Sequence, residues 1–266
     1  MDAVQIDAVD DPESCRIAEE IQRRAWGMSD RGLVPAEQIR AAVHNGGLLL
    51  IARSGGEPIG FCYGFVGLDD RMPILCSHML AVVPGLQSRG VGRALKMAQR
   101  RHAAERGFDR ITWTFDPLQA RNAYLNLHRL GAIARRYHVD HYGPMDDAIN
   151  AGLPSDRLLA EWAVDTERRV PPAAPDGPWA LTAVASADRA PHPGTVTPDA
   201  VRGDAALVAV PADIDQLREV DPGAGPAWRN ALRAALSTAF EAGMTAVDLV
   251  RDVGDDCHAY VLRTRP

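Results

Sequence analysis

Residues 80–104 read LAVVPGLQSRGVGRALKMAQRRHAA, an apolar strand, a turn and a helix in immediate succession. The apolar run stops at Val83 and Pro84, and Gln87-Ser88-Arg89-Gly90-Val91-Gly92 opens a segment whose apolar residues Val91, Ala94, Leu95 and Ala98 recur at helical spacing. Glycine at a helix start lets main chain approach a ligand with no Cβ in the way. The first-turn N–H groups have no helical partner and point at whatever anion sits there. The stretch therefore predicts a phosphate cradle between a strand and a helix. It lacks the Gly-Lys-Ser/Thr of a P-loop and the G-x-G-x-x-G of a dinucleotide fold.

The surroundings organise around it. Residues 3–9 predict a strand and residues 11–26 a helix, with Asp11 as its cap and Pro12 in its first turn. Pro35 opens a second helix that ends before Asn45-Gly46-Gly47. Residues 48–53 and 59–67 are two strands joined across Ser54-Gly55-Gly56-Glu57-Pro58, and residues 72–83 form the strand that feeds the cradle. After Gly107, residues 109–115 alternate as a strand; reached through a helix, it runs parallel to the one before the cradle. Residues 121–130 predict a helix, 133–142 and 157–164 two further strands, and 146–150 a short helix between them.

The Q-x-x-G-x-G of Gln87, Gly90 and Gly92 in this setting resembles the acyl-CoA site of the GNAT superfamily of N-acyltransferases. Residues 122–132, NAYLNLHRLGA, are similar to a second superfamily signature, N-x-x-A-x-x-L-Y-x-x-L-G-F, matching at Asn122, Leu130 and Gly131. The resemblance spans about residues 1–166. It implies an α/β (α+β) fold with a mixed central sheet and flanking helices. Its two parallel strands part at their C-terminal ends to admit the pantetheine arm of acetyl-CoA or another acyl-CoA, succinyl-CoA included. The implied binding residues are Ala81, Val82, Val83, Gln87, Ser88, Arg89, Gly90, Val91, Gly92, Arg93, Ala94 and Asn122. In this reading main-chain N–H groups of Val82 and Val83 face the thioester and pantetheine amides, and those of residues 89–93 hold the pyrophosphate. SHMLAV at 77–82, TWTFDPL at 112–118 and residues 142–162 resemble a subgroup often encoded near enzymes of the o-succinylbenzoate synthase and N-succinylamino acid racemase type, which suggests an amino acid as acceptor.

Acyl transfer to an amine needs a neutral nucleophile, a grip on the developing oxyanion and a proton for the thiolate. His78 is the candidate base. It lies four residues before Val82, which places both on one strand face, and HMLAV resembles the H-x-L-A-V of arylalkylamine N-acetyltransferases. The position of the superfamily's proton-donating tyrosine is Leu127 here, which leaves Tyr124 one turn earlier, His128, or water as the acid. Arg157 can clamp an acceptor carboxylate or pair internally with Asp156 or Glu161, and Trp113 and Phe115 can line the acceptor pocket or belong to the core.

Composition sets the remaining bounds. The 266 residues carry a net charge of −6, which argues against nucleic acid as the main partner. The longest apolar run, residues 48–52, is too short to span a bilayer, and the acidic N-terminal stretch is unlike a signal peptide; the expectation is a cytoplasmic protein without membrane contact. Four cysteines show no metal spacing and read as reduced thiols. His138 and His141, three apart on an expected strand, would face opposite ways, so no metal is expected. The proline-bearing stretch 167–180 reads as a linker to a smaller C-terminal α/β module, 181–266, with strands at 205–210, 245–251 and 258–263. Its helix, 226–242, carries Trp228, Leu232, Leu236 and Phe240 as a buried stripe. The module either packs beside the first domain or completes a homodimer, and a degenerate second GNAT-like half is conceivable. A non-catalytic acyl-CoA-responsive module and an O-acyltransferase are the alternative functions.

Overall fold

The computed structural model describes residues 3–27, 32–87, 89–144, 152–165, 176–185, 190–254 and 256–264. The chain forms two compact units. One comprises residues 1–113 with 146–148 and 163–166, the other residues 114–145, 149–162 and 167–266. The division falls inside the stretch that the linker assigns to one domain.

In the first unit β1 (Val4–Ala8) leads to α1 (Pro12–Trp26), α2 (Ala36–His44), β2 (Leu48–Ser54), β3 (Glu57–Asp69), β4 (Met72–Val82), α3 (Val91–Glu105) and the start of β5 (Arg110–Phe115). The strand order is β1-β2-β3-β4-β5, antiparallel except for the parallel β4–β5 pair. Asp11 caps α1 by accepting from the Ser14 amide at 2.8 Å and the Ser14 hydroxyl at 2.7 Å. Glu19 of α1 accepts from the Ala36 amide at 2.8 Å, which anchors the start of α2. Phe61 and Tyr63 of β3 face α1 and α2, with the Trp26 ring 6.2 Å from Phe61. Gly60 and Gly64 alternate to the other face, under Leu95 and Gln99 of α3.

In the second unit α4 (Ala120–Ala123) runs into a π-helical turn, Tyr124–Arg129, followed by β6 (Ile133–His138) and β7 (Arg157–Ala163). Then come β8 (Trp179–Ala185), β9 (Pro191–Val196), a 3₁₀ turn (Pro198–Arg202), β10 (Ala205–Pro211), α5 (Ile214–Val220), α6 (Ala224–Glu241), β11 (Thr245–Gly254) and β12 (Cys257–Arg263). The strand order is β7-β6-β11-β12-β10-β8-β9. Trp228, Leu232 and Leu236 of α6 are buried as expected. The fourth member of the stripe is Ala239 rather than Phe240, because a spacing of four drifts about 40° per step around a 3.6-residue helix.

Several expectations need correcting. The linker is shorter than 167–180: Trp179 already begins β8, and residues 167–175 lie outside the described set. Proline at 191 and 193 hid β9, which tolerates both because it is the last strand in the order and has one paired edge. The expected helix at 146–150 also lies outside the described residues. The strand predicted for 133–142 stops at His138, where Asp140 takes a φ of +46° and turns the chain. That turn brings the His138 and His141 rings to 4.9 Å instead of placing them on opposite faces. Among the described residues no group of side chains has a metal-binding arrangement, and no helix is long and apolar enough to cross a membrane.

Candidate active site

In the first unit β4, the turn after it and α3 form the stretch expected to be a cradle. The Val83 amide donates to the Ile59 carbonyl at 2.9 Å. This removes it from the pair of N–H groups expected to face a ligand. Antiparallel main chain alternates between its two edges, so the Val82 amide and carbonyl point away from β3. The Val82 carbonyl accepts from the Gln87 side chain at 3.5 Å. Ala81, Val82 and Val83 all have buried side chains. Only their backbone is therefore available to a ligand.

Gly90 sits at a φ of +86°, a conformation that costs a residue with a Cβ about 1–2 kcal/mol. As N-cap it supplies no capping side chain, and the first helical bond runs from Ala94 N to Gly90 O at 2.9 Å. The amides of Val91, Gly92 and Arg93 therefore lead out of the helix start, at its positive end and with no acid in the first turn. A Cβ on Gly92 would meet only Leu80 at an ordinary 3.6 Å, so the fold itself does not demand glycine there. Gln87, Arg89, Arg93 and Ala94 are exposed on this side, Val91 is buried, and Ser88 lies outside the described residues. Arg100 turns back and donates to the Val164 carbonyl at 2.9 Å.

β4 and β5 share only the rungs Leu75–Ile111 and Cys76–Thr112, while β4 continues to Val82 against β3. A bulge interrupts that second ladder: Tyr63 pairs with Met79 and Gly64 with Ser77, leaving His78 as the extra residue. The bulge turns His78 toward Tyr63 and Phe65, with ring centroids at 6.0 and 5.7 Å. His78 thus lies on the face of Tyr63, whereas Val82, paired with Gly60, faces α3; the shared face expected from their spacing is lost. His78 keeps an exposed surface, and desolvation where it packs against the rings lowers its pKa below the ordinary histidine value.

Trp113, expected in the acceptor pocket, packs beneath Lys96 of α3. The ammonium stands 3.4 Å from the ring centroid and donates to Ser77 Oγ at 3.1 Å and Gln99 Oε1 at 2.8 Å. A lysine between the apolar Leu95 and Ala98 was the available sequence signal. The expected stripe took Ala94 as a core residue, and the buried face actually passes through Lys96 and Gln99.

In the second unit the helix after β5 carries Asn122, exposed, whose Oδ1 accepts from Asn126 at 3.3 Å. Tyr124 is half-buried, stacked on His128 at 4.5 Å and 16°, with the Arg251 guanidinium 4.4 Å above its ring. His128 Nδ1 lies 3.0 Å from Oδ1 of Asp248, a fully buried carboxylate 120 residues away in sequence that no local motif could have signalled. Leu127 is fully buried, as is Phe115.

Arg157 is also buried. It donates to the Asp156 carbonyl at 2.8 Å, lies 3.7 Å from Asp116 Oδ2 and stands 5.4 Å over the Tyr142 ring. Asp116 is gripped bidentately by Arg229 of α6 at 2.7 and 2.6 Å. Asp156 is gripped by Arg233 at 2.9 Å through two bonds and accepts from the Tyr137 hydroxyl at 2.6 Å. Burial pushes the Asp156 carboxyl up, but these donors outweigh it and hold its pKa below the ordinary value. Burial first, and the Asp156 contact second, raise that of Tyr137.

Residues 13–132 match the family described as the acetyltransferase (GNAT) family. Two solved structures share the fold. One is the ribosomal-protein-S18-alanine N-acetyltransferase of Escherichia coli, 18% identical over 62% of this chain and 96% of its own, with a TM-score of 0.50. The other is YncA of Salmonella typhimurium with its cofactor acetyl-CoA, 19% identical over 65% of this chain and 100% of its own, also with a TM-score of 0.50. No curated protein matches the sequence. Residues 13–132 are thus similar to the acetyltransferase (GNAT) family, and the chain shares the fold of the two solved acetyltransferase structures.

Proposed function

We propose that the chain is an N-acyltransferase that moves an acyl group from acetyl-CoA or a related acyl-CoA to the amine of a small molecule. The observation that carries this reading is Gly90, held at positive φ at the start of a helix whose first amides have no side-chain cap, directly after a strand that outruns its parallel neighbour. Backbone amides at a helix start suit a pyrophosphate, and an outer strand edge at Val82 suits the pantetheine amides. Acetyl-CoA bound to YncA, a protein of the same fold, supports that choice of donor.

His78 is the base in this reading. Its lowered pKa keeps the imidazole neutral through the neutral range, so it can take the proton of an attacking ammonium directly or through water. Tyr124, one turn before the family's tyrosine position, serves as acid to the leaving thiolate, and Asn122, which matches the family signature, completes the donor contacts. The buried pairing of Arg157 favours a supporting role for it, and Trp113 serves the acceptor pocket from beneath Lys96.

A second reading, a non-catalytic acyl-CoA-responsive module, is favoured by the buried Leu127 at the family's tyrosine position. Thermal unfolding with CoA, acetyl-CoA and succinyl-CoA tests the donor site. A ligand at a hundred times its Kd adds about 2.7 kcal/mol, a shift of a few degrees. No shift with any of the three at millimolar concentration overturns the proposal. Binding without turnover on a panel of amines and alcohols leaves the second reading; turnover on alcohols alone would make it an O-acyltransferase.

A further inference from the structure

His78 is the extra residue of the β4 bulge, and the bulge sets its ring between two others. Tyr63 lies 6.0 Å away with its ring at 80°, Phe65 lies 5.7 Å away at 59°, and the two β3 rings are 6.5 Å apart. The two neighbours differ in what they offer. Tyr63 is buried, whereas Phe65 is 38% exposed and His78 is exposed beside it. A single exposed apolar side chain is ordinary on a protein surface. Phe65 differs because a bulge aims an imidazole at it, so a molecule seated on His78 lies within one side chain's length of its ring.

Strand alternation carries this face onward. Phe65 pairs with Cys76 and Gly67 with Ile74, so all four share the side of Tyr63. Cys76 is partly exposed and is a neutral thiol, because burial raises its pKa. Gly67 leaves room for that thiol: a Cβ there would stand 2.6 Å from the Cys76 sulfur. Ile74 is buried, and beyond it Asp69 and Arg110 pair with each other at 2.7 Å. From His78 to Ile74 this side of β4 is therefore apolar over about 13 Å.

We propose that Phe65 is a specificity-determining residue of the acceptor site: it takes up the apolar substituent of the amine whose nitrogen His78 deprotonates, and the acceptors are primary amines carrying an alkyl or aryl group. The proposal rests on the N-acyltransferase reading with His78 as base, and names the acceptor class that this reading leaves open. One proton of the ammonium passes to His78. The freed nitrogen lone pair then bonds the acyl carbon, the carbon–sulfur bond breaks with its electrons on sulfur, and the proton released as the amide forms goes to the thiolate. A carboxylate on the substituent would lose hydration against this face, which disfavours anionic acceptors.

Turnover of the straight-chain series from ethylamine to hexylamine by the full chain, with acetyl-CoA and with succinyl-CoA, tests this. In the wild type kcat/KM should rise about threefold with each added methylene, as burial of that group predicts. The ω-amino acid of hexylamine's length should fall at least about tenfold below hexylamine. Phe65→Ala should flatten the series, so that its deficit grows with chain length, and Phe65→Leu should keep most of the slope by restoring apolar surface. His78→Ala should instead lower every member by the same factor and keep the slope. A wild-type series that is flat, a slope that survives in Phe65→Ala, or a loss in Phe65→Ala that is equal at every chain length overturns the proposal and leaves the N-acyltransferase reading standing. Absence of turnover on every amine with both donors in the wild type overturns that reading and this proposal with it.

Discussion

The chain contains two helical crossovers between strands, β4–α3–β5 and β10–α5–α6–β11, whose last helices stop in the same way. In each a glycine at positive φ follows the helix: Gly107 at 74° and Gly243 at 82°. In each the next residue, Phe108 or Met244, is buried and donates back five positions at 3.0 Å, to Ala103 or Ala239. The difference lies between the strands. β4 and β5 are neighbours, parallel, and share two rungs before β4 runs on. Between β10 and β11 lies β12, antiparallel to both and paired with β10 along seven residues. The first segment keeps an open strand edge beside a helix start; the second has that edge filled. A repeated local pattern thus leaves an open strand edge in one place, where the donor site is proposed, and a closed sheet in the other. In the conceivable second GNAT-like half the strands joined through α6 are not neighbours, and the parallel pair it does contain, β8–β10, is not the one that α6 connects.

The charges follow the same contrast. α6 spends Arg229 and Arg233 on buried carboxylates, whereas the start of α3 leaves Arg93 exposed. Breaking the closed segment should therefore give the largest change. Arg229→Met strands the buried Asp116 and should cost about 3–5 kcal/mol of stability, read as a fall in unfolding midpoint in urea, whereas exposed Arg93→Met should cost little. A loss under about 1 kcal/mol for Arg229→Met would show that the buried pair does not hold α6.

Glycine substitutions sharpen the contrast next. Gly92→Val has room in the fold, so its stability should change little while the thermal shift with CoA disappears. Gly243→Ala should do the opposite, costing about 1–2 kcal/mol through its positive φ and leaving the CoA shift intact. An undiminished CoA shift in Gly92→Val would mean that the cradle and the closed segment do not differ in the way described.

Catalytic effects are more local. His78→Ala should lower turnover by about a hundredfold with donor affinity unchanged. Because His78 must be neutral to act and burial lowers its pKa, wild-type turnover should rise with pH along a limb lying below the ordinary histidine value of about 6.5. A pH profile unchanged in His78→Ala would remove it from the mechanism. The last effect is on stability against pH at Lys96. Its pKa falls from 10.5 in the unfolded chain to about 7 in the fold, so the unfolded state binds more protons between those values. Stability relative to Lys96→Met should therefore rise with pH across that window and be flat below it, as followed by the difference in unfolding midpoints.

Much of the first unit was legible in the sequence because its elements carry local signals. Asp11-Pro12 starts a helix, Gly55-Gly56 turns a hairpin, and the glycines of 87–92 mark the cradle. The candidate site was less legible. His78 and Val82 are four apart, yet a single bulged residue moved His78 to the other face, and nothing in the one-dimensional pattern marks a bulge. Arg157 showed two local partners, while its buried environment includes Asp116 from 41 positions earlier. Asp248 beside His128, and Arg229 on Asp116, join residues separated by more than a hundred positions.

The sequence by itself determined the order of strands and helices through residue 115, the glycine-opened start of α3 and the family to which that stretch is similar. Each of these depends on residues close along the chain, where periodicity, caps and turn residues act. Tertiary structure alone decided which strand edge remains open, which of two adjacent amides at Val82 and Val83 faces outward, and that a lysine in a helix interior comes to rest where two strands separate. Those outcomes depend on which strand pairs with which, and pairing is settled by burial and register summed over the whole fold.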